Sequence, residues 1–138
     1  DIRTGINLDA ILTSQLLINI FEHNTPLHDG AVIVRENRIV AATCYLPLSD
    51  NMELSKQLGT RHRAGVGISE QTDSVTIIVS EETGQVSVAQ NGRLTRGLTS
   101  AGLREILVKA QNKQVVDNSK LRHLLKGRMK HEEEKNNG

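Results

Sequence analysis

Three short polar clusters interrupt or end apolar stretches, and their side chains could carry chemistry. The first is His28-Asp29-Gly30-Ala31. A histidine beside an aspartate supplies two metal ligands, or a base and the group that orients it, and glycine lets a ligand approach the backbone closely. Asp-Gly before a strand is also a common turn, so this cluster alone does not decide between the two interpretations.

The second cluster is Gly59-Thr60-Arg61-His62-Arg63, at a predicted helix start with Thr60 as its cap. A helix start offers free backbone N–H groups and the positive end of the helix dipole, and arginine forks bind phosphate through two hydrogen bonds. We therefore predict an anion site suited to several phosphates. The alternative is a solvated basic turn.

The third cluster, Ser80-Glu81-Glu82-Thr83-Gly84, follows the most apolar predicted strand. Ligands of α/β sheets bind beyond the carboxyl ends of strands, and two carboxylates there could hold a divalent cation. An ordinary polar turn is the alternative. The chain contains no phosphate-binding loop, no complete dinucleotide-binding glycine signature and no zinc-protease motif.

The elements that position these clusters follow from periodicity. A wide apolar face predicts a helix over 8–22, which ends before Pro26. Strands are predicted over 31–35, 38–45, 75–79 and 85–89, and the 75–79 strand is predicted to be central because it is apolar on both faces. A hairpin turn at Asn91-Gly92 leads into 93–96. Further helices are predicted over 52–58, 61–69 and 99–111, with a last one around Leu121, Leu124 and Leu125.

Strands and helices that intermingle in this way predict the α/β class. We expect a single domain over residues 1–126, a mixed and mostly central β-sheet flanked by helices, followed by a frayed polar tail over 127–138. Cys44 lies within an apolar strand and is expected to be a small buried hydrophobe. His23, His123 and His131 have no clustered partners and are expected at the surface.

Composition excludes several classes of function. Phe21 and Tyr45 are the only aromatic residues, so no ring-paved surface for single-stranded nucleic acid can form. The formal net charge is +1, which drives the chain onto neither DNA nor anionic lipid, and we expect no nucleic-acid partner. One cysteine excludes an internal disulfide and a cysteine-cluster zinc site, and favours a reducing compartment.

No apolar run approaches the ~20 residues that a membrane-spanning helix needs. The chain begins with Asp rather than Met, and we expect it to be a fragment or a processed form of a longer protein.

Taken together, the clusters resemble the paired DGA and RHR motifs of diadenylate cyclase domains, here Asp29-Gly30-Ala31 and Arg61-His62-Arg63. The resemblance runs from residue 8 to residue 112 and is most similar to the membrane-tethered bacterial class. Gly65 stands where that family often has alanine. Three further segments agree with the family: Asn24-Thr25-Pro26-Leu27-His28, Cys44-Tyr45-Leu46-Pro47-Leu48 and Ser80-Glu81-Glu82-Thr83-Gly84.

The resemblance implies that the domain condenses two ATP molecules into cyclic di-AMP and releases two pyrophosphates. Each domain of the family binds one ATP, and two domains meet face to face, so that each 3′-hydroxyl attacks the α-phosphate of the other ATP. It further implies a divalent cofactor (Mn²⁺, Mg²⁺ or Co²⁺), a homodimer, and a cytoplasmic domain of a protein anchored in the bacterial membrane. A membrane-anchored regulator and a phosphosugar mutase are partners of this class.

Carried onto this sequence, the resemblance places Asp29 at the ribose 3′-hydroxyl, with Gly30 and Ala31 in the same motif. The phosphates would be held by Gly59, Thr60, Arg61, His62 and Arg63. His28 and Glu81 would hold the cation, Ser80 and Glu82 would line the site, and Tyr45 and Leu46 would lie beside the adenine.

Two other functions remain compatible with these residues. One is a non-catalytic nucleotide-binding regulatory module of the same fold. The other is a metal-dependent phosphohydrolase that uses His28, Asp29 and Glu81 and takes water as its nucleophile.

Overall fold

The computed structural model describes residues 4–56 and 58–112 and confirms the mixed α/β class. Its strands and helices follow one another as β1 (Ile6–Ile11), α1 (Ser14–Ile20), β2 (Ala31–Arg35), β3 (Arg38–Cys44), α2 (Thr60–Gln71), β4 (Thr76–Val79), β5 (Val86–Gln90) and β6 (Arg93–Leu98). A further helix, α3, occupies 100–112, up to the end of the described residues.

The strands form two three-stranded sheets, in the orders β1-β3-β2 and β4-β5-β6, where the sequence predicted one central mixed sheet. A boundary between Arg96 and Gly97 divides the described residues into two compact units. The predicted domain boundary at 126/127, the tail and the helix around Leu121–Leu125 lie outside the described residues.

The first apolar stretch begins as a strand, so the helix predicted over 8–22 is wrong in its first half. β1 pairs antiparallel with β3, and α1 begins only at Ser14. Leu8 and Leu12 both pack against the same core, and a spacing of four residues shares one face in a helix and in a strand alike. The start of α1 is marked by Thr13, whose Oγ1 accepts a hydrogen bond from the Leu16 amide at 3.1 Å.

Two hairpins follow the predicted turns. β2 and β3 are joined at Glu36 (φ 50°) and Asn37 (φ 62°), and β5 and β6 at Asn91 (φ 52°) and Gly92 (φ 77°). Positive φ at both central residues is the conformation whose twist matches that of paired strands.

The β1-β3-β2 sheet buries its apolar face beneath α1. Ile20, Ile39 and Ala42 are 2%, 0% and 0% exposed and form the centre of this cluster. Six partly buried side chains complete it: Leu8, Leu12, Leu16, Leu17, Leu27 and Val32.

Helix α2 packs on the second sheet through Val66, Ile78 and Ala89. Glycines allow this close approach, because a Cβ on Gly65 would lie 2.7 Å from Ile78 Cδ1. A Cβ on Gly67 would collide with the backbone of Pro47 and lie 2.9 Å from the Ser49 nitrogen. The helix predicted over 61–69 is therefore confirmed and extended, and its two glycines serve packing.

Of three further predicted elements, two differ from the structure and one is confirmed. The 75–79 strand is not central: β4 lies at the edge of its sheet, with Ile77 and Val79 45% and 46% exposed. The helix predicted over 52–58 is wrong, since the described residues there form isolated turns. The helix predicted over 99–111 is confirmed as α3, with Thr99 Oγ1 accepting from the Gly102 amide at 3.1 Å. None of the described helices is long and apolar enough to cross a bilayer.

Candidate functional site

The DGA motif sits where β2 approaches the end of β3. Gly30 has φ +87°, and a Cβ there would lie 2.9 Å from the carbonyl carbon of Thr43. Thr43 itself has φ 53°, an uncommon conformation for a β-branched residue, beside a register shift between Ala31 and Ile33. Glycine is thus required here by conformation and by space, and it holds the exposed Asp29 at the strand entry.

The His28 ring is oriented by a backbone contact. Its Nδ1 lies 2.7 Å from the carbonyl oxygen of Thr25, so the N–H at Nδ1 donates to that oxygen and Nε2 takes no part in this contact. The His23 ring centroid lies 6.2 Å from that of His28. His23 is exposed as predicted, but the prediction that it has no clustered partner is wrong, because its ring lies near that of His28.

The basic cluster occupies the first turn of α2. Gly59 is the N-cap and makes no side-chain cap hydrogen bond, so the prediction that Thr60 caps the helix is wrong: Thr60 is the first helical residue. With no side-chain cap in place, the first-turn amides of α2 keep their hydrogen-bonding capacity for another acceptor.

Arg61 joins the second cluster to the third. Its Nη1 donates to the carbonyl oxygen of Val79 at 2.6 Å, and its Nη2 donates to Glu81 Oε1 at 2.5 Å. The Arg61 and Glu81 side chains are 47% and 76% exposed. Two clusters predicted separately from sequence are therefore in direct contact.

His62 is half-buried on α2. Burial, followed by the positive charges of Arg96 and Arg61, lowers the pKa of His62 from its usual 6.5. Arg96, on β6, was not among the predicted site residues. The Asn91-Gly92 turn predicts that β6 returns beside β5, but the approach of Arg96 to His62 depends on how α2 packs on that sheet.

Arg63 secures the segment after β3 to α2. Its carbonyl oxygen accepts a hydrogen bond from the Ser49 amide at 2.9 Å. In the same segment Tyr45 is 64% exposed and Leu46 is half-buried, and the Tyr45 amide donates to Thr4 Oγ1 at 3.0 Å. The residues expected beside adenine thus leave β3 on a segment that is held against α2.

The third cluster forms a closed turn. The Ser80 amide donates to the Gln85 carbonyl oxygen at 3.0 Å, and the Gly84 amide donates back to the Ser80 carbonyl oxygen at 3.0 Å. Ser80 Oγ accepts from the Thr83 amide at 3.3 Å, and Glu82 is exposed.

The part of the chain that the structure describes has no metal site built from protein side chains alone. Within residues 4–56 and 58–112, no group of three or more His, Cys, Asp or Glu side chains is placed to hold a metal ion. Any ion at His28 or Glu81 would therefore need ligands from elsewhere, such as phosphate oxygens or water.

Cys44 is buried as predicted, and burial raises the pKa of its thiol.

A fold and motif set of this kind define a known class of nucleotide-binding domain. A family described as "DisA bacterial checkpoint controller nucleotide-binding" matches residues 1–94, and the chain belongs to this family. Both the DGA and the RHR motif lie inside the matched part.

Similar proteins carry specific names. Over 127 residues, the chain is 61% identical to the protein named cyclic di-AMP synthase CdaA of Bacillus subtilis, covering 92% of this chain and 46% of that protein. It is 61% identical over 108 residues to the diadenylate cyclase of Listeria monocytogenes, covering 78% of this chain and 40% of that protein. The chain thus spans about half the length of these relatives, or less.

The fold is also similar to those of two solved structures. A double mutant of DacA from Staphylococcus aureus superposes with a TM-score of 0.77 at 51% identity, over 79% of this chain and 73% of that one. A hypothetical membrane-spanning protein from Bacillus cereus gives a TM-score of 0.68 at 50% identity, over 70% of this chain and 47% of that one.

Proposed function

We propose that this chain is the catalytic domain of a diadenylate cyclase, which condenses two ATP molecules into cyclic di-AMP and two pyrophosphates. The observation that carries the proposal is the 61% identity over 92% of the chain with a protein named cyclic di-AMP synthase. The reaction is a nucleotidyl transfer, in which positioning and charge neutralisation matter more than covalent catalysis.

Asp29 is the residue proposed to act on the nucleophile. It is exposed beside Gly30, whose backbone is wedged against Thr43. A carboxylate beside the ribose 3′-hydroxyl accepts its proton or orients it toward the α-phosphate. Ala31 follows as the first residue of β2 and makes this position part of a strand end rather than of a free loop.

The phosphates are proposed to bind at the start of α2. The amides at Thr60 and beyond, the N-cap Gly59 and the positive dipole end favour an anion. Arg63 supplies a guanidinium, and His62 supplies a neutral ring nitrogen because its pKa is lowered. Tyr45 and Leu46 are proposed to flank the adenine.

Ser80 and Glu82 are proposed to line the site from the turn after β4. The turn's closed hydrogen bonding gives these side chains a defined backbone.

A divalent ion is proposed to bind at His28 and Glu81. The His28 ring fits this role, because histidines that ligate metals usually donate their other ring N–H to a backbone carbonyl, as His28 does to Thr25. Glu81 retains one oxygen beyond the one bound to Arg61. The ion would neutralise charge that develops on the phosphates.

Two copies of the domain are proposed to face each other during the reaction, because one site cannot align both attacks in a cyclic condensation. We also propose that the longer protein is anchored in the bacterial membrane with this domain in the cytoplasm, consistent with the name of the membrane-spanning Bacillus cereus neighbour. A membrane-anchored regulator and a phosphosugar mutase are proposed partners.

The test is product identification. The protein is incubated with ATP and either Mn²⁺ or Mg²⁺ in separate reactions. The nucleotides are then separated by chromatography and identified by mass spectrometry. Cyclic di-AMP with pyrophosphate supports the proposal. ATP that stays intact while it binds indicates a regulatory module, and ADP or AMP indicates a phosphohydrolase.

A further inference from the structure

We propose that Arg61 is a positioning residue, which clamps the turn after β4 to the start of α2 and so fixes Glu81, rather than a ligand of the nucleotide phosphates. This inference rests on the proposed function for what the turn would contribute. Its structural part stands on the described contacts alone.

The contacts of Arg61 have the geometry of a clamp. One guanidinium nitrogen reaches the carbonyl oxygen of Val79 at 2.6 Å and another reaches Glu81 Oε1 at 2.5 Å. These partners stand on either side of Ser80, so a single planar group grips the exit of β4 at two points. Of the two long basic side chains, arginine presents several donors in one rigid plane, whereas lysine offers a single point charge.

The position of Arg61 in its helix supports the same role. A cation in the first turn of a helix is disfavoured by the dipole, and α2 has no acidic residue of its own in that turn. Glu81, from the next strand's end, supplies the missing carboxylate there. The ion pair therefore neutralises an unfavourable charge and connects two elements.

The other described hydrogen bonds of this turn join residues within the turn or the two residues at its base, Ser80 and Gln85. Ser80 and Gly84 are linked through backbone amides, and Ser80 Oγ accepts from Thr83. Among the described hydrogen bonds, those of the Arg61 side chain connect this closed turn to α2. Loss of the clamp should loosen the whole turn relative to α2 and leave the Glu81 carboxylate free to rotate.

Arg63 provides the matched control. It belongs to the same triplet and carries the same charge, yet within residues 4–56 and 58–112 no hydrogen bond or ion pair engages its guanidinium. It is thus the triplet's arginine that remains open to an incoming anion, whereas both terminal nitrogens of Arg61 are committed to protein partners.

The first measurement needs no nucleotide. Amide hydrogen exchange of Ser80 and Gly84 is compared in wild type, Arg61→Ala, Arg61→Lys, Glu81→Gln and Arg63→Ala. Because both partners are exposed and the pair is therefore of modest strength, we expect exchange to rise about three- to tenfold in both Arg61 variants. A smaller rise is expected in Glu81→Gln, which keeps the Val79 contact, and none in Arg63→Ala. Unchanged exchange in Arg61→Ala would overturn the clamp.

The second measurement separates positioning from phosphate binding. Affinities for ATP and AMP are measured for each variant in the presence of EDTA, so that the cation proposed at Glu81 does not contribute to either affinity. Arg63→Ala should weaken ATP binding more than AMP binding, whereas Arg61→Ala should change both to the same extent. A selective loss of ATP affinity in Arg61→Ala overturns the proposal whatever the exchange data show. Absence of cyclic product from wild type would refute the proposed function and leave the exchange test of the clamp intact.

Discussion

Replacement of Gly30 by alanine tests the close approach on which the DGA motif depends. The new Cβ would lie 2.9 Å from the Thr43 carbonyl carbon, 3.0 Å from its Cα and 3.1 Å from the Cys44 oxygen. All three are backbone atoms, so no side chain can rotate away. Gly84 provides a matched control, because its φ is +71° and nothing lies within 4 Å of its added Cβ.

Both substitutions force alanine into a left-handed backbone conformation, but only Gly30→Ala also creates a steric clash. Alanine in a left-handed conformation costs about 1–2 kcal/mol at either site, and its smaller unfolded-state entropy offsets roughly 0.4–1 kcal/mol at both. Only Gly30→Ala adds overpacking, which typically costs about 1–3 kcal/mol. The difference between the variants should therefore be about 1–3 kcal/mol, with Gly30→Ala the less stable.

Urea unfolding followed by circular dichroism measures this difference, since the chain has no Trp for fluorescence. The free energies of unfolding of the two variants are compared, provided that the dependence of this free energy on urea concentration is the same for both. If the two variants agree within about 0.5 kcal/mol, Gly30 is not held against Thr43 and the reasoning fails. Gly30→Ala should also lose cyclic product even where it is folded, because relief of the clash displaces the neighbouring Asp29.

Three further predictions address chemistry, charge and packing. Asp29→Asn should abolish cyclic di-AMP formation while it retains ATP binding, and added to wild type it should inhibit product formation; near-normal turnover would remove Asp29 from the mechanism. Because burial and nearby arginines lower the pKa of His62, the unfolded chain binds more protons, so stability should fall as pH drops through 6.5. Arg96→Ala should raise that pKa in an NMR titration, and an unchanged value would mean that Arg96 is remote. Ile39→Ala, fully buried, should cost about 2–5 kcal/mol in urea unfolding. Ile77→Ala, 45% exposed, should cost far less, and equal losses would contradict the burial.

Local sequence signals predicted those elements that a few neighbouring residues specify by themselves. Asn91-Gly92 and the β-branched runs around Glu36-Asn37 specify hairpins through turn geometry and strand propensity. The same signals fail where two structures satisfy one pattern. Leu8 and Leu12 suit a helix or a strand, and the strand forms because β3 offers β1 an antiparallel partner.

Glycine positions misled the sequence prediction for a related reason. Glycine directly after the predicted 52–58 helix favours a helix end at Gly59, whereas in the structure Gly59 precedes α2 as its N-cap. A glycine suits either end of a helix, and the choice depends on which neighbouring segment packs on the sheet. Gly67 shows the opposite case, since a residue of poor helix propensity lies inside α2 because Pro47 and Ser49 press against it.

The sequence identified most residues of the candidate site, but it did not predict which of them contact one another. Arg61 and Glu81 were found in separate clusters, and their pairing depends on α2 crossing the end of β4, which no local pattern encodes. Arg96 was missed because its role depends on the same packing. Sequence motifs identify which groups are present, whereas the division of roles among them is set by tertiary neighbours.

That division bears on how a triphosphate could be held. Glu81 neutralises Arg61, and burial with neighbouring cations disfavours a charge on His62. The triplet therefore contributes fewer free positive charges than its composition suggests: Arg63, with support from Arg96 and the dipole of α2. A triphosphate carries more negative charge than these can balance. We therefore expect ATP to bind here together with a divalent ion, and Arg63→Ala should raise the Mn²⁺ concentration required for ATP binding.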